Sequence, residues 1–275
     1  MDGGTAFFEN PSRSPAARGV PELFHAWSSY YSMLARLALI ENRIPFISCP
    51  LDIHRRCEHH APWYARINPN MTVPALRLHN RDLTDSREIL MLAFGRRIEA
   101  MDESARRWVD ALYAFPVDGL TFSWLMSWNP LARRVLPRKL SALRTSLQRN
   151  AEQVPDLAEA YRSRAAVFAA RCESFGSAGI GDRFRSLTAQ AIALLDRLEA
   201  GLADCGPPHA PDSYGPQDVL WTVFLARLQF CGLGREIGAR KHVRAYYREL
   251  KARPSFAEAD IWSRLRLRKL LDLVG

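Results

Sequence analysis

The spacing of apolar and polar positions changes near residue 100. Before that point, short apolar runs alternate with stretches of helical periodicity, which predicts strands separated by helices. The predicted strands are Glu22–His25, Ile44–Ile47, Val73–Leu78 and Leu83–Thr84. The predicted helices are Ser32–Asn42 and Ser86–Arg97, with a loop or irregular helix over Cys57–Tyr64. The resulting order, β-α-β-α-β-β-α, is that of a thioredoxin-like α/β domain.

Beyond residue 102 the strand-like runs cease and apolar positions recur at helical spacing. The predicted helices are Ser104–Phe115, Val117–Trp128, Arg138–Asn150, Asp156–Cys172, Arg183–Asp204, Pro216–Cys231 and Lys241–Ala252, separated by proline and glycine positions. We therefore expect a disordered leader over residues 1–20, a thioredoxin-like domain over 21–98, and an all-helical domain over 104–270. A long helical insertion is expected at about residues 130–185 of the helical domain.

Two neighbouring features in the first half predict a ligand site. The Val73-Pro74 step opens an apolar run, and proline at the head of a strand belongs at an edge because it has no N–H to donate. A cis bond there would expose the N–H and C=O of Val73 to a peptide-like ligand. Asp85 and Ser86 open a helix whose free N–H groups attract a carboxylate. Together these features suit a small acidic peptide, of which glutathione is one.

Five ordered sequence blocks carry a family resemblance that spans about residues 21 to 262. They are EHHAPWYARINPNMTVPAL (58–76), YAFPVDGLTFSW (113–124), LRTSLQRNAEQVPDLAEAYRSR (143–164), GPQDVLWTVFLARLQFCG (215–232) and YYRELKARPSF (246–256). The set resembles the cytosolic glutathione S-transferases. Within that superfamily it is similar to the tetrachlorohydroquinone dehalogenase group and ganglioside-induced differentiation-associated protein 1. Two positions depart from the pattern: Ser123 stands where glycine is usual, and Gly215 where serine or threonine usually caps a helix.

The resemblance implies a catalytic hydroxyl at the start of the first helix. Aligned on Ser32-Met33 and Arg36, Ser29 falls at the position that stabilises the glutathione thiolate, helped by the helix dipole. Ser28, or Tyr30 or Tyr31, could take this role instead, or Ser29 could only cap the helix. The cysteine of the reductive dehalogenases would fall at Tyr31, so the thiol-disulfide step of those enzymes has no obvious actor here.

The resemblance also assigns the glutathione contacts. The backbone of Val73 and Pro74 is expected to pair with the peptide, and Asp85 and Ser86 to bind its γ-glutamyl end. The alternative for the second pair is a helix cap completed by Glu88. Trp63 and His60, together with His59, could reach the glycyl end. Adjacent histidines on a loop are more often solvated, and we predict no metal site.

The second substrate is expected between the two halves, against the first helices of the second half. Its pocket is predicted to draw on Tyr30, Tyr113, Trp124 and Trp128, with Phe122 and Met126 nearby. Such residues are more often core than pocket. If they do line a site, they favour a hydrophobic, aromatic electrophile as the partner of glutathione.

Composition narrows the remaining possibilities. Hydrophobic content of 48% and charged content of 24% are those of a soluble globular protein. The net charge of +9 does not indicate nucleic-acid binding. Most arginines alternate with acids, as in AEAYRSRAA, a pattern typical of solvated helix faces. Five cysteines without a CxxC spacing argue against a disulfide framework or a zinc site and favour a reducing cytoplasm. No apolar run has the length of a transmembrane helix, and the N-terminus lacks the pattern of a secretory signal.

The leading functional hypothesis is a glutathione-dependent transferase or lyase. Glutathione thiolate would attack an electrophilic carbon and displace an ether, a halide or a similar group. The alternatives are a non-catalytic glutathione-fold binding or scaffold protein and, less favoured, a reductive dehalogenase or thiol-disulfide exchanger. A homodimer is implied by the resemblance alone. The chain ends in a basic amphipathic stretch, IWSRLRLRKLLDLVG, which is interpreted as the face of a last helix or as a contact for a membrane surface or partner.

Overall fold

The computed structural model describes residues 19–99, 101–175, 179–205 and 214–264. Almost all of the expected leader lies outside these ranges, as does most of the basic C-terminal stretch. Within the described ranges, no helix combines the length and the apolar character that crossing a lipid bilayer requires.

A small mixed sheet forms the first half of the chain. Its strands are β1 (Glu22–His25), β2 (Ile47–Pro50), β3 (Ala75–Arg77) and β4 (Asp82–Leu83). They lie in the order β2-β1-β3-β4. Strand β1 runs parallel to β2 and antiparallel to β3, which is antiparallel to β4. The thioredoxin-like strand order is confirmed.

The helices fill the rest of the described chain. They are α1 (Tyr30–Glu41), α2 (Pro62–Ala65), α3 (Ser86–Phe94), α4 (Arg96–Glu99), α5 (Glu103–Ala114), α6 (Val117–Trp128), α7 (Pro130–Gln153), α8 (Ala158–Ser174), α9 (Ile180–Cys205), α10 (Pro216–Phe230), α11 (Gly234–Ala239), α12 (Lys241–Ala252) and α13 (Pro254–Glu258). Two short 3-10 turns, Glu58–His60 and Pro155–Leu157, precede α2 and α8. A thioredoxin-like sheet followed by helices confirms the expected fold class.

The sheet is buried on both faces because neighbouring residues of a strand point in opposite directions. Leu23 belongs to the main core with residues of α1 and α3. Phe24, next along β1, belongs to a second cluster with Tyr64 and Ile67. Helices α1 and α3 therefore cover one face, and α2 with the chain that follows it covers the other.

Helix α10 forms the centre of the helical half. Every residue from Asp218 to Leu228 is buried, and the helix contacts α1, α5, α11 and α12. Its start is fixed by Asp218, which has no exposed surface. The Asp218 carboxylate accepts hydrogen bonds from the Gly215 N–H at 2.6 Å and the Tyr246 hydroxyl at 2.5 Å. Although Gly215 has no side chain for a reciprocal cap, the carboxylate satisfies the exposed N–H of the helix start.

Helices α7 and α8 form an antiparallel hairpin within the expected insertion. They pack extensively on each other, and their cluster includes Leu147, Tyr161 and Phe168. The same cluster includes Ala65 and Met71 from the first half. The hairpin therefore rests on the segment between α2 and β3.

Several predicted boundaries were wrong. Strand β2 begins at Ile47 rather than Ile44, because the Ile44 N–H bonds back to Leu39 in the turn that ends α1. Helix α7 begins at Pro130 rather than Arg138 and continues through Pro137. The Asn129 side chain caps it by accepting from the Ala132 N–H at 3.1 Å. The short helices α11 and α13 were not predicted, since six and five residues carry little periodicity.

We expect Asp218→Ala to lower the free energy of unfolding by about 2–4 kcal/mol. The substitution leaves the half-buried Gly215 N–H and the buried Tyr246 hydroxyl without this acceptor. Urea denaturation measures the change, with Asp204→Ala on the exposed side of α9 as the control. A loss below about 0.5 kcal/mol, the range of ordinary surface substitutions, would contradict this account.

Candidate functional site

Ser29 is the N-cap of α1. Its backbone is extended, and its hydroxyl oxygen accepts a hydrogen bond from the Ser32 N–H at 3.3 Å. The side chain is half-buried, and its hydroxyl hydrogen is not donated to any described residue. Ser29 can therefore cap the helix and still offer a proton to a ligand at the helix start.

Arg36 holds the chain that leads into α1. Its side chain is 2% exposed and donates to His25 Nδ1 at 3.1 Å and to the carbonyl oxygens of Ala26 at 3.2 Å and Trp27 at 3.3 Å. It also donates to the Ala259 carbonyl oxygen at 2.8 Å. Burial lowers the pKa of Arg36 to about 10. The loop before Ser29 is thus fixed from inside the protein.

Ser28 has a different set of partners. Its hydroxyl lies 2.8 Å from His54 Nε2, and its carbonyl oxygen accepts from Arg227 at 2.9 Å. Arg227 is buried on α10, and burial lowers its pKa. Ser28 and Ser29 are therefore distinct: one is paired with an imidazole, and the other keeps its proton free.

The Val73–Pro74 bond is cis, the geometry considered in the sequence argument. Strand β1 pairs Phe24 with Ala75, so Val73 lies beside the end of β1 that continues toward Ser29. The N–H and C=O of Val73 make no hydrogen bond within the described part of the chain. Asn68 shapes the preceding loop by donating to the Thr72 carbonyl oxygen at 2.8 Å.

Asp85 and Ser86 open α3 as predicted. Asp85 is the N-cap and accepts from the Arg87 N–H at 2.6 Å. Ser86 is buried, and its N–H has no partner among the described residues. Glu88 accepts from the Thr84 N–H at 3.3 Å. A capping box would instead use the N–H of the next residue, Asp85. The start of α3 therefore offers an N–H and a hydroxyl to an anion.

Tyrosine side chains connect this helix start to α1. Burial raises the pKa of Tyr113, and the neighbouring Ser86 hydroxyl opposes the shift. Burial also raises the pKa of Tyr31 to about 12, with added effects of Asp118 and Asp85. The rings of Tyr30 and Tyr31 meet edge to face with centroids 5.1 Å apart. Tyr31 and Tyr113 are therefore neutral near pH 7. They can serve as hydrogen-bond donors or as apolar walls, but not as bases.

The tryptophans predicted for the second-substrate pocket lie along α6. Trp124 packs on Phe230 with ring centroids 5.4 Å apart, and on Trp128 at 5.5 Å. Arg227, which holds Ser28, also lies over the Phe230 ring at 5.2 Å. Trp124 is thereby connected to the start of α1 through α10. Trp128 lies farther out and is 52% exposed.

The expectation of solvated adjacent histidines was wrong. His59 and His60 are 7% and 6% exposed, with ring centroids 3.9 Å apart. Helix α8 covers them: the Tyr161 hydroxyl donates to the His60 carbonyl oxygen at 2.9 Å. Trp63 packs instead against Phe24 on the α2 face of the sheet, with centroids 6.1 Å apart. His60 is therefore covered by α8, and Trp63 belongs to the cluster on the α2 face of the sheet.

The described thiols do not form a redox centre. Cys49, Cys57, Cys172 and Cys231 are free, and burial raises the pKa of Cys49, Cys57 and Cys231. Residues 25–33, which surround the start of α1, contain no cysteine. This segment therefore supplies no thiol at the start of α1.

The comparisons with known proteins point to one family for this part of the chain. Residues 28–91, which contain Ser29, Val73-Pro74 and most of α3, match the family model of the glutathione S-transferase N-terminal domain. The tetrachloro-p-hydroquinone reductive dehalogenase of Sphingobium chlorophenolicum is 28% identical over 250 residues, which are 87% of this chain and 95% of that protein. Residues 28–91 therefore match the glutathione S-transferase N-terminal domain, and the chain as a whole is similar to proteins of that superfamily.

Other superfamily members match at comparable coverage. Glutathione S-transferase TCHQD of Arabidopsis thaliana is 25% identical over 86% of this chain and 87% of its own length. Among solved structures, the beta-etherase LigF of Sphingobium sp. strain SYK-6 matches with a TM-score of 0.61 at 17% identity. That match covers 87% of this chain and 98% of LigF and supports the shared fold.

Three residues near the start of α1 or the adjacent histidines were not predicted from the sequence: His54, Arg164 and Arg227. Arg227 interrupts the apolar run WTVFLARLQF, and a lone cation in a buried helix was a usable signal. His54 carried no comparable signal. Arg164 lies in AEAYRSRAA, which was interpreted as a solvated face. That interpretation was wrong for Arg164, whose guanidinium carbon lies 5.2 Å from the Phe168 ring centroid.

The buried histidines predict loss of stability in acid. Burial lowers the pKa of both His25 and His60 to about 3, whereas an unfolded histidine titrates near about 6.5. Between these values the unfolded chain binds more protons, so stability is lost as pH falls through this window. Each histidine should lower the free energy of unfolding by about 2 kcal/mol as the pH falls from about 7 to about 5.

His60→Gln should therefore remove about 2 kcal/mol of this pH dependence. The measurement is the free energy of unfolding in urea at both pH values, with the exposed His79→Gln as control. An unchanged pH dependence in the His60 variant would contradict the buried neutral state of His60.

Proposed function

We propose that the protein is a glutathione transferase in which Ser29 stabilises the glutathione thiolate for attack on a hydrophobic, aromatic electrophile. The observation that carries the proposal is the Ser29 hydroxyl, which caps α1 and keeps its hydrogen free. It lies in the part of the chain that matches the family's glutathione-binding domain. The free N–H of Val73 and that of Ser86 supply the remaining expected contacts.

In the proposed reaction, glutathione loses its thiol proton to solvent, and the sulfur anion accepts the Ser29 O–H. The positive end of the α1 dipole adds to this stabilisation. The sulfur then forms a bond to the electrophilic carbon, and the bond from that carbon to an ether oxygen or a halide breaks. The leaving group departs with the electron pair, so no oxidant or reductant is required.

Binding and positioning are assigned to the surrounding groups. Val73 pairs with the cysteinyl backbone of glutathione through its N–H and C=O, as an added strand would. Ser86 and the start of α3 hold the γ-glutamyl carboxylate. Tyr30, Tyr113 and Trp124 supply apolar surface for the electrophile, and the exposed Trp128 lies at the outer end of that surface.

Substitution by thiolate is favoured over reductive dehalogenation. The relative from Sphingobium chlorophenolicum is named for the latter reaction. A thiol-disulfide step needs a reactive cysteine beside the bound glutathione, and residues 25–33 provide none. The fold shared with the beta-etherase LigF is consistent with an ether as the bond cleaved.

The proposal includes the organisation of the protein. Residues 21–98 form the glutathione-binding domain, and residues 104–270 the helical domain that supplies the electrophile pocket. Two copies form a homodimer, and the enzyme acts in the cytoplasm in detoxification or breakdown of aromatic compounds. Sedimentation of the full chain at micromolar concentration tests the dimer.

Ser29→Ala should raise the pKa of bound glutathione by about one to two units and lower kcat about 10- to 100-fold. The physical reason is the loss of the hydrogen bond to the thiolate. Glutathione affinity, measured by calorimetry above that pKa and below it, should change mainly where the thiolate is the bound form. The ultraviolet absorbance of the thiolate, followed against pH, gives the pKa directly.

Ser28→Ala is the matched control for Ser29, since it removes a neighbouring hydroxyl that is paired with His54. Ser29→Thr keeps the hydroxyl and should retain most of the activity. If Ser28→Ala rather than Ser29→Ala raises the thiol pKa, the roles of the two serines are reversed. If wild-type protein does not bind glutathione, the chain is a non-catalytic member of the superfamily.

Ser86→Ala should weaken glutathione binding about 10-fold and leave the pKa of the bound thiol unchanged. The lost hydroxyl contacts the γ-glutamyl end, which is remote from the sulfur. Calorimetry and the thiolate titration measure the two effects separately. A change in thiol pKa as large as that of Ser29→Ala would contradict this division of roles.

A further inference from the structure

One face of α8 presents cations to the first half of the chain. Tyr161, Arg164, Phe168 and Arg171 recur at spacings of three and four residues, which places them on one side of a helix. The Phe168 ring packs edge to face on His60 with centroids 5.5 Å apart. The guanidinium carbons of Arg164 and Arg171 lie 5.2 Å and 5.7 Å from the centroid of the same ring.

This cluster contains buried polar atoms without partners. His59 Nδ1, His60 Nε2 and Arg164 Nε are enclosed and make no hydrogen bond. Both histidines are more than nine-tenths buried. Arg164 is half-buried and donates to no described residue, and its enclosed Nε–H is costly to leave unpaired. Unused donors of this kind are normally satisfied by a ligand or by ordered water.

The charge around the cluster is positive. Arg171 donates to Asp118 on α6 at 3.1 Å, so one acid offsets one of the two arginines. In the described part of the chain, Arg164 has no ion pair. Its neighbour Arg171 is positively charged. Its neighbour His60 is neutral, since burial lowers the pKa of His60. This arrangement suits an anion as a ligand.

The cluster adjoins the proposed active site on two sides. Asp118, the partner of Arg171, lies close enough to Tyr31 at the start of α1 to raise the pKa of that phenol. On the other side, the charge of His54 acts on His59, and His54 Nε2 lies 2.8 Å from the Ser28 hydroxyl. Asp118 and His54 are therefore common neighbours of the α8 cluster and of the start of α1.

We propose that α8 supplies a carboxylate-binding site, in which Arg164, supported by Arg171 and the His59–His60 pair, holds a carboxylate of a molecule bound at the active site. A planar guanidinium matches a carboxylate with two parallel hydrogen bonds. The proposal rests on the proposed glutathione-dependent function. It adds a binding element from the helical insertion, which lies outside the part of the chain that matches the family model.

Two molecules could provide the carboxylate: glutathione through its glycyl end, or the electrophile through an acidic substituent. The first arm compares the Kd of glutathione with that of its glycyl ethyl ester by calorimetry. The second arm compares kcat/KM for benzyl chloride and for its para-carboxylate derivative. Each is measured with wild type, Arg164→Met and Arg164→Lys.

Arg162→Met is the matched control. Arg162 lies on the same helix, with its side chain 65% exposed and only Glu159 as ion-pair partner at 3.7 Å. Arg164→Met keeps the apolar stem over Phe168, and circular dichroism verifies its fold. Arg164→Lys keeps the positive charge but not the planar guanidinium, so it should retain part of the preference for the free carboxylate. It replaces Arg164→Met as the test variant if Arg164→Met does not fold.

We expect wild type to prefer the free carboxylate about tenfold or more in one arm, and Arg164→Met, but not Arg162→Met, to lose that preference. The arm that responds identifies the source of the carboxylate. If wild type binds glutathione but neither preference depends on Arg164, the carboxylate site is overturned while the transferase proposal stands. If wild type binds neither glutathione nor its ester, both are overturned.

Discussion

The position of the first helix depends on one buried cation. Arg36 lies inside the protein, and its hydrogen bonds go to an imidazole and to carbonyl oxygens rather than to a carboxylate. Carbonyl dipoles can stabilise a buried guanidinium only when they are held in place, because moving one away leaves an unpaired charge. The arginine and the loop it binds therefore fix each other. Because this loop leads directly into α1, the position of Ser29 at the helix start is fixed as well.

A second set of contacts connects the helical half to the starts of α1 and α3. Arg227 on α10 donates a hydrogen bond to the Ser28 carbonyl oxygen. At the start of α1, burial and then Asp118 on α6 raise the pKa of Tyr31. At the start of α3, the Ser86 hydroxyl adjoins Tyr113 on α5. Helix α8 closes the remaining side over the adjacent histidines. Each of these side chains lies far along the chain from Ser29, so the electrostatic surroundings of the site are products of tertiary packing.

The difference between local contacts and contacts made by tertiary packing explains which features the sequence could predict. Local rules located β1, the helix Val117–Trp128 and the Asp85–Ser86 cap, because periodicity and capping act within a few residues. The resemblance placed Ser29 and Val73-Pro74. The burial of His59 and His60 was not predictable, since it depends on Tyr161 and Phe168 about 100 residues later in the chain. Arg164 was misinterpreted for the same reason: helical spacing identifies a face but not what covers it. Helix α7 passes through Pro137 because packing against α8 outweighs one missing hydrogen bond.

The bond from Arg36 to Ala259 joins residues 223 positions apart in the chain. During synthesis, the N-terminal sheet and α1 leave the ribosome long before that partner exists, and domains generally fold in the order in which they emerge. The nascent first half can thus build its strands while Arg36 still lacks its distant acceptors, the carbonyl oxygens of Ala259 and Asp260. The loop before Ser29 therefore gains the full set of Arg36 hydrogen bonds only after residues 259 and 260 have been synthesised.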